Sequence, residues 1–294
     1  VTEAISYIEA THKFGTRLGL ESMSLLLDAM DNPQDKLKFI HIAGTNGKGS
    51  TSTMIATILT TAGYNTGLFT SPFLEAFNER IQLNNQPIDD DSLVAATIFV
   101  KERIEVLMEQ GQPHPTEFEM VTAVGLQYFY QKQVDFVVLE VGLGGRLDAT
   151  NIIKDPLAVV IMGISNDHTD YLGNTLAEIA FEKTSIIKDG SEVVVYPQDP
   201  EALKVILDFA QSKNAHVTLV NPDDISVLSH TTHSQTLKYL GDHLYLDGFE
   251  LKLLGDHQTL NCLTALEVIA LLNRKGFQIN SGQIKKALAA VVLP

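Results

Sequence analysis

Residues 38–51, K-F-I-H-I-A-G-T-N-G-K-G-S-T, constrain the fold more than any other stretch of the chain. Phe39, Ile40 and Ile42 form a short apolar run of β-formers, the pattern of a parallel strand buried on both faces. Gly44, Gly47 and Gly49 then permit a sharp turn with positive φ, and from Thr51 a helical pattern runs until Gly63. Strand, glycine turn and helix N-terminus together aim unpaired N–H groups and the positive end of a helix dipole at an anion. The strict Walker A spacing, G-x-x-x-x-G-K-[ST], is not met: Ile42 stands at its first glycine and Gly49 at its hydroxyl position. The shorter G-T-N-G-K-G-S places Lys48 for the outer phosphates of a nucleotide, with Ser50 or Thr51 one step late for a metal.

The rest of the chain repeats strand and helix. Residues 1–36 read as two short helices broken at Asn32-Pro33. Strands are expected at 66–70, 134–141, 157–163, 193–196 and 217–220, with helices at about 90–110, 116–132, 174–188 and 200–212. An irregular loop at 73–89 contains a hairpin at Asn84-Asn85. This alternation predicts an α/β fold, a P-loop-type, mostly parallel sheet with helices on both faces. Residues 226–254 change to short alternating stretches with turns at Gly241-Asp242 and Asp247-Gly248, expected as antiparallel strands at the edge of that sheet. Two further helices follow, the first ended by Gly276. Thr116 and Glu119 form a capping box after Pro115; for Glu117 and Glu119 a structural role and a direct substrate role are both open. The string at 142–145 is not a dinucleotide fingerprint, because Leu147 stands at its last glycine and no helix follows at once.

A chain of 294 residues, 45% hydrophobic and 19% charged, has length for a sizeable core. Its net charge of −15 argues against a nucleic-acid partner. The one cysteine, Cys262, excludes an intramolecular disulfide, and the first residues have no signal-peptide pattern. No apolar run is long enough to span a membrane, so the expectation is a cytoplasmic monomer.

Ligands of open α/β sheets bind beyond the carboxyl ends of the strands. Four such ends carry useful chemistry: the turn with Lys48 and Ser50, then Ser71, then Glu140, then Asp167-His168. A carboxylate closing an apolar strand beside a phosphate loop is a natural ligand for Mg²⁺, which selects hard oxygen donors. Lys183 falls on one helix face with Leu176, Ile179, Ala180 and Ile187. Its ammonium either snorkels to water or projects into the site.

These residues resemble the folylpolyglutamate synthases and dihydrofolate synthases of the Mur ligase superfamily. The resemblance rests on G-T-N-G-K-G-S-T (44–51), T-S-P-F (70–73), F-N-E-R-I (77–81), T-E-F-E (116–119), E-V-G-L-G-G-R-L-D-A-T-N (140–151), D-H-T-D-Y-L-G (167–173), E-K-x-x-I-I-K (182–188) and G-D-H-Q-x-x-N (255–261). Phe73, where many members have His, and Thr184-Ser185, where Ala-Gly is usual, depart from the pattern. The resemblance implies the central ATPase domain of a Mur ligase over residues 1–294. The smaller glutamate-binding domain is expected to be absent from this chain, leaving the fragment inactive alone. The implied reaction is ATP-dependent ligation of L-glutamate to a folate or dihydropteroate through an acyl phosphate. Carried over, Thr45, Asn46, Gly47, Lys48, Gly49, Ser50, Thr51 and Asn261 would hold ATP. Ser71 and Glu140 would bind a first Mg²⁺ and His168 a second metal, with Lys183 as a carbamate; Lys48, Lys183 and His168 would be catalytic. Phe73, Arg80 and Glu117 would face the substrate. The alternatives are a nucleotide-binding regulatory module and another Mur-type amino-acid ligase.

Overall fold

The computed structural model describes residues 1–15, 19–73, 75–165, 173 and 175–293. Helices α1 (Thr2–Glu9) and α2 (Glu21–Asp28) precede strand β1 (Phe39–Ala43), which is buried at all five positions. Gly47, at φ +83°, caps α3 (Lys48–Thr61). The helix therefore begins three residues before the expected Thr51. The left-handed glycine completes the turn by itself, and Lys48 is already the first helical residue.

Strands β2 (Thr66–Phe69), β3 (Ile81–Leu83) and β4 (Gln86–Pro87) follow. The β3–β4 hairpin turns at Asn84 and Asn85, φ +51° and +62°, as their identity predicts. Next come α4 (Asp90–Glu109), α5 (Glu117–Gln131), β5 (Phe136–Glu140) and β6 (Ala158–Ile161). Helix α6 (Leu176–Thr184) ends four residues short of expectation, leaving Ile187 beyond it yet buried. Strand β7 (Glu192–Val195), α7 (Pro200–Ser212) and β8 (His216–Leu219) complete the alternation.

The main sheet runs β4-β3-β2-β5-β1-β6-β7-β8, parallel from β2 to β8, with β3 and β4 as its antiparallel edge. Alternate residues face opposite cores: Val138 packs with Met54 and Ile58 of α3, and Val137 and Leu139 pack with Val121 and Val124 of α5.

The later hairpins differ from expectation. Strands β9 (Ile225–His230), β10 (Gln235–Leu240) and β11 (Tyr245–Leu251) form a separate antiparallel sheet, not an edge of the first. Their inward residues, Leu237, Tyr239, Leu246, Phe249 and Leu251, find a core with Leu263 and Leu266 of α8 (Asp256–Arg274) and Ile284 of α9 (Ser281–Leu288). An amphipathic sheet is stabilised by any matching apolar surface, and the helices supply it. Among the described residues no helix is long and apolar enough to cross a membrane.

Candidate active site

The glycine turn rises from the middle of the sheet and is tied to the segment after β6. Thr45 and Asn46 donate their backbone N–H groups to Gly163 O at 2.9 and 3.3 Å, and the Thr45 hydroxyl donates to Ser165 O at 3.2 Å. Lys48 folds back onto its own loop, donating to Gly44 O at 2.9 Å and Thr45 O at 3.2 Å. These carbonyls hold the ammonium over the turn, where a phosphate could take their place.

Helix α8 closes the other side of the loop. A Cβ on Gly47 would lie 2.5 Å from Asn261 Oδ1, so the glycine is required for this close approach as well as for its φ. Gln258 Nε2 donates to Ser50 Oγ at 3.1 Å, and Asn261 Nδ2 donates to Gln258 Oε1 at 3.2 Å. Thr51 is completely buried, with no partner for its hydroxyl among the described residues.

Glu140 ends β5 beside the loop and is 3% exposed. Burial pushes its carboxyl up to about 7, against the opposing pull of Lys48 and a hydrogen bond from the Ser71 backbone N–H; Asp148 adds a smaller upward push. The Ser71 hydroxyl is buried without a partner among the described residues. Ser71 and Glu140 line a cavity of about 300 Å³ together with Gly47, Gly49, Ser50 and Phe73. An orphaned hydroxyl and a buried carboxylate are hard oxygen donors, the set that Mg²⁺ accepts. Among the described residues no three His, Cys, Asp or Glu side chains converge on one metal position. His168 lies outside the described residues.

Lys183 is 3% exposed, and its Nζ donates to Gly44 O at 3.0 Å. The head therefore projects toward the loop, and the snorkelling alternative is set aside.

A larger cavity of about 600 Å³ adjoins the first, and Ser71 and Pro72 line both. Arg80, Thr116, Glu117, Phe118, Glu119 and Asp148 are among its walls. Arg80 lies 3.9 Å from Glu117 and stacks over Phe73 with its guanidinium 5.1 Å from the ring centre. Glu119 is committed to the helix cap, accepting the Thr116 N–H at 2.7 Å, while Glu117 meets Arg80 and His12. The sequence thus brings Phe73, Arg80 and Glu117 to one region. It gave no role to Gln258 or Asp148. Gln258 was detectable as the i, i+3 partner of Asn261 on one helix face; Asp148 is recognisable only from its backbone partners, Leu143 N–H at 2.8 Å and Thr150 N–H at 2.9 Å.

Comparison with known proteins places the chain in a family. The Mur ligase middle domain matches residues 42–269. The dihydrofolate synthase/folylpolyglutamate synthase of Bacillus subtilis is 37% identical over 299 residues, covering 97% of this chain and 68% of that protein. The folylpolyglutamate synthase of Lacticaseibacillus casei is 36% identical, covering 98% of the chain and 68% of that protein. A solved complex of folylpolyglutamate synthase (FPGS) with AMPPCP and folate superposes with a TM-score of 0.92 at 35% identity, covering all of this chain and 72% of that one.

Proposed function

Since the chain belongs to the folylpolyglutamate and dihydrofolate synthase family of Mur ligases, we propose that its two adjoining cavities hold the triphosphate of ATP and a folate in line for phosphoryl transfer. The activity is ATP-dependent ligation of glutamate to a folate. The observation that carries the arrangement is the shared wall: Ser71 and Pro72 border both the phosphate-loop cavity and the larger one. A folate in the larger cavity can therefore present its terminal carboxylate where the loop presents a γ-phosphate.

The residues divide the work. Turn N–H groups and the α3 N-terminus bind the phosphates, Lys48 exchanges loop carbonyls for the outer phosphate oxygens, and Asn261 with Gln258 supports the turn. The folate carboxylate attacks the γ-phosphorus, its bond to the ADP oxygen breaks, and an acyl phosphate forms. The glutamate amine then attacks the acyl carbon, with loss of phosphate and a proton. Magnesium, when bound, neutralises charge on the phosphate oxygens; Ser71 and Glu140 would hold it, with His168 and a carbamate on Lys183 serving a second position. Arg80 and Glu117, with Phe73 over the guanidinium, are assigned to the folate side.

ADP release by the intact enzyme tests the reading. It is expected only when both a folate and glutamate are present; release with ATP alone would identify a nucleotide hydrolase or regulatory module instead.

A further inference from the structure

A buried chain of hydrogen bonds joins the strand under the phosphate loop to the wall of the larger cavity, and the reaction outlined above leaves it without a role. His41, in the middle of β1, is completely buried, with Nε2 3.0 Å from Thr150 Oγ1. Thr150 is also completely buried; its hydroxyl donates to Asp148 Oδ1, and its backbone N–H donates to the same oxygen at 2.9 Å. A hydroxyl has one hydrogen, here committed to Asp148, so the imidazole must be the donor to Oγ1. Nε2 therefore carries the proton, and Nδ1 has no partner among the described residues. Burial, reinforced by nearby Lys188, pushes the imidazolium down to about 3, consistent with a neutral ring.

The far end of the chain is the cavity wall. Asp148 Oδ2 accepts the Leu143 N–H at 2.8 Å, and Gly142 N–H bonds the same carboxylate. Gly142, Leu143, Leu147, Asp148 and Ala149 all line the larger cavity. Asp148 is thus occupied from both ends of a short loop, and the loop's shape depends on that carboxylate's orientation. A donor at Thr150 Oγ1 fills the lone pair facing β1 and leaves the hydroxyl hydrogen to point at Asp148, strengthening that bond.

We propose that His41 is a positioning residue for the folate: through Thr150 and Asp148 it fixes the loop that walls the larger cavity. The proposal rests on that cavity being the folate site. It assigns His41 no contact with substrate or nucleotide.

Calorimetry on the intact enzyme, with folate and with AMPPCP as separate probes, tests it. His41→Val is expected to weaken folate binding about tenfold, as for a buried hydrogen bond left without its donor, and to leave AMPPCP affinity within about twofold. His41→Gln, whose amide nitrogen can stand near the Nε2 position, is expected to recover most of the loss. In a Thr150→Val background, adding His41→Val should change nothing further, because the histidine acts through that hydroxyl. Unchanged folate affinity in His41→Val, equal losses for both probes, or additive losses in the double variant would overturn the proposal. Should His41→Val fail to fold, Thr150→Val alone decides, with the same folate-selective loss expected and unchanged folate affinity overturning it. Absence of folate binding by the unaltered enzyme overturns the cavity assignment itself, and the proposal with it.

Discussion

Lys48 and Lys183 donate to one acceptor, the Gly44 carbonyl oxygen, which lies 2.9 Å from the first ammonium and 3.0 Å from the second. Burial biases Glu140, beside Lys48, toward its neutral form. Conversion of Lys183 to an anionic carbamate would place a negative group beside the Lys48 ammonium and add two hard oxygens. Lys183→Ala should lower ligation on the order of 100-fold with ATP affinity nearly intact, and acetate should restore part of it. Steady-state kinetics with and without acetate check this; a magnesium-bound crystal structure with an unmodified Lys183 amine would refute the carbamate.

For Lys48 the expected loss is in binding. Lys48→Ala should abolish measurable ATP binding, since the point charge and the turn's N–H groups act on the same phosphates. Unchanged affinity in calorimetry would remove the phosphate-loop assignment.

Glu140 gives the metal step a pH dependence. Its folded-state value of about 7 lies above its ordinary 4.5, so in the metal-free protein its contribution to stability is lost as pH rises from about 4.5 through about 7. A cation needs the carboxylate form, so Mg²⁺ affinity should rise up to about pH 7 and then level off, with proton uptake by buffer at pH 6 and little at pH 8. Calorimetry in buffers of different ionisation enthalpy reads this directly; Glu140→Gln should flatten the dependence and weaken binding.

His41 has the opposite sign. Its folded-state value of about 3 lies below the ordinary 6.5, so the stability it contributes is present above 6.5 and is lost as pH falls toward 3. Thermal unfolding of His41→Val should depend less steeply on pH across that window than the unaltered protein; an identical slope would show that the ring does not stay neutral.

Gly142 tests the cavity wall. A Cβ there would sit 2.4 Å from Phe118 Cζ, and the whole ring edge lies within 2.8 Å. Gly142→Ala should push Phe118 into the larger cavity and weaken folate binding by about tenfold or more, with little change for AMPPCP. Equal affinity for folate would place the ligand elsewhere.

Local chemistry was readable from the chain where one residue type has few uses. Glycines at 44 and 47 between an apolar run and a helix, the Asn84-Asn85 hairpin and the Thr116/Glu119 box each predict their own geometry, whereas Gly49, expected in the turn, lies in the first turn of α3 without a positive φ. Helical spacing put Lys183 on the inward face, and its carbonyl partner lies on that side. Pairings set by tertiary packing were not readable. Period-2 alternation in residues 226–254 shows an amphipathic strand, but not whether its partner is the main sheet or α8. Gln258 against Ser50, and Asp148 at the centre of its loop, likewise depend on segments far apart in sequence.

The central place of β1 also sets an order of events during synthesis. Its two neighbours, β5 and β6, lie roughly a hundred residues downstream, with Ile40 opposite Val138 on one side and Ala158 on the other. At about 5–20 residues per second, a nascent chain carries β1 for roughly 5–20 s before either partner has been made. Throughout that interval Phe39, Ile40 and Ile42 have no sheet to join, and the phosphate loop has no Gly163 to pin it. The nucleotide site is thus encoded early and assembled late.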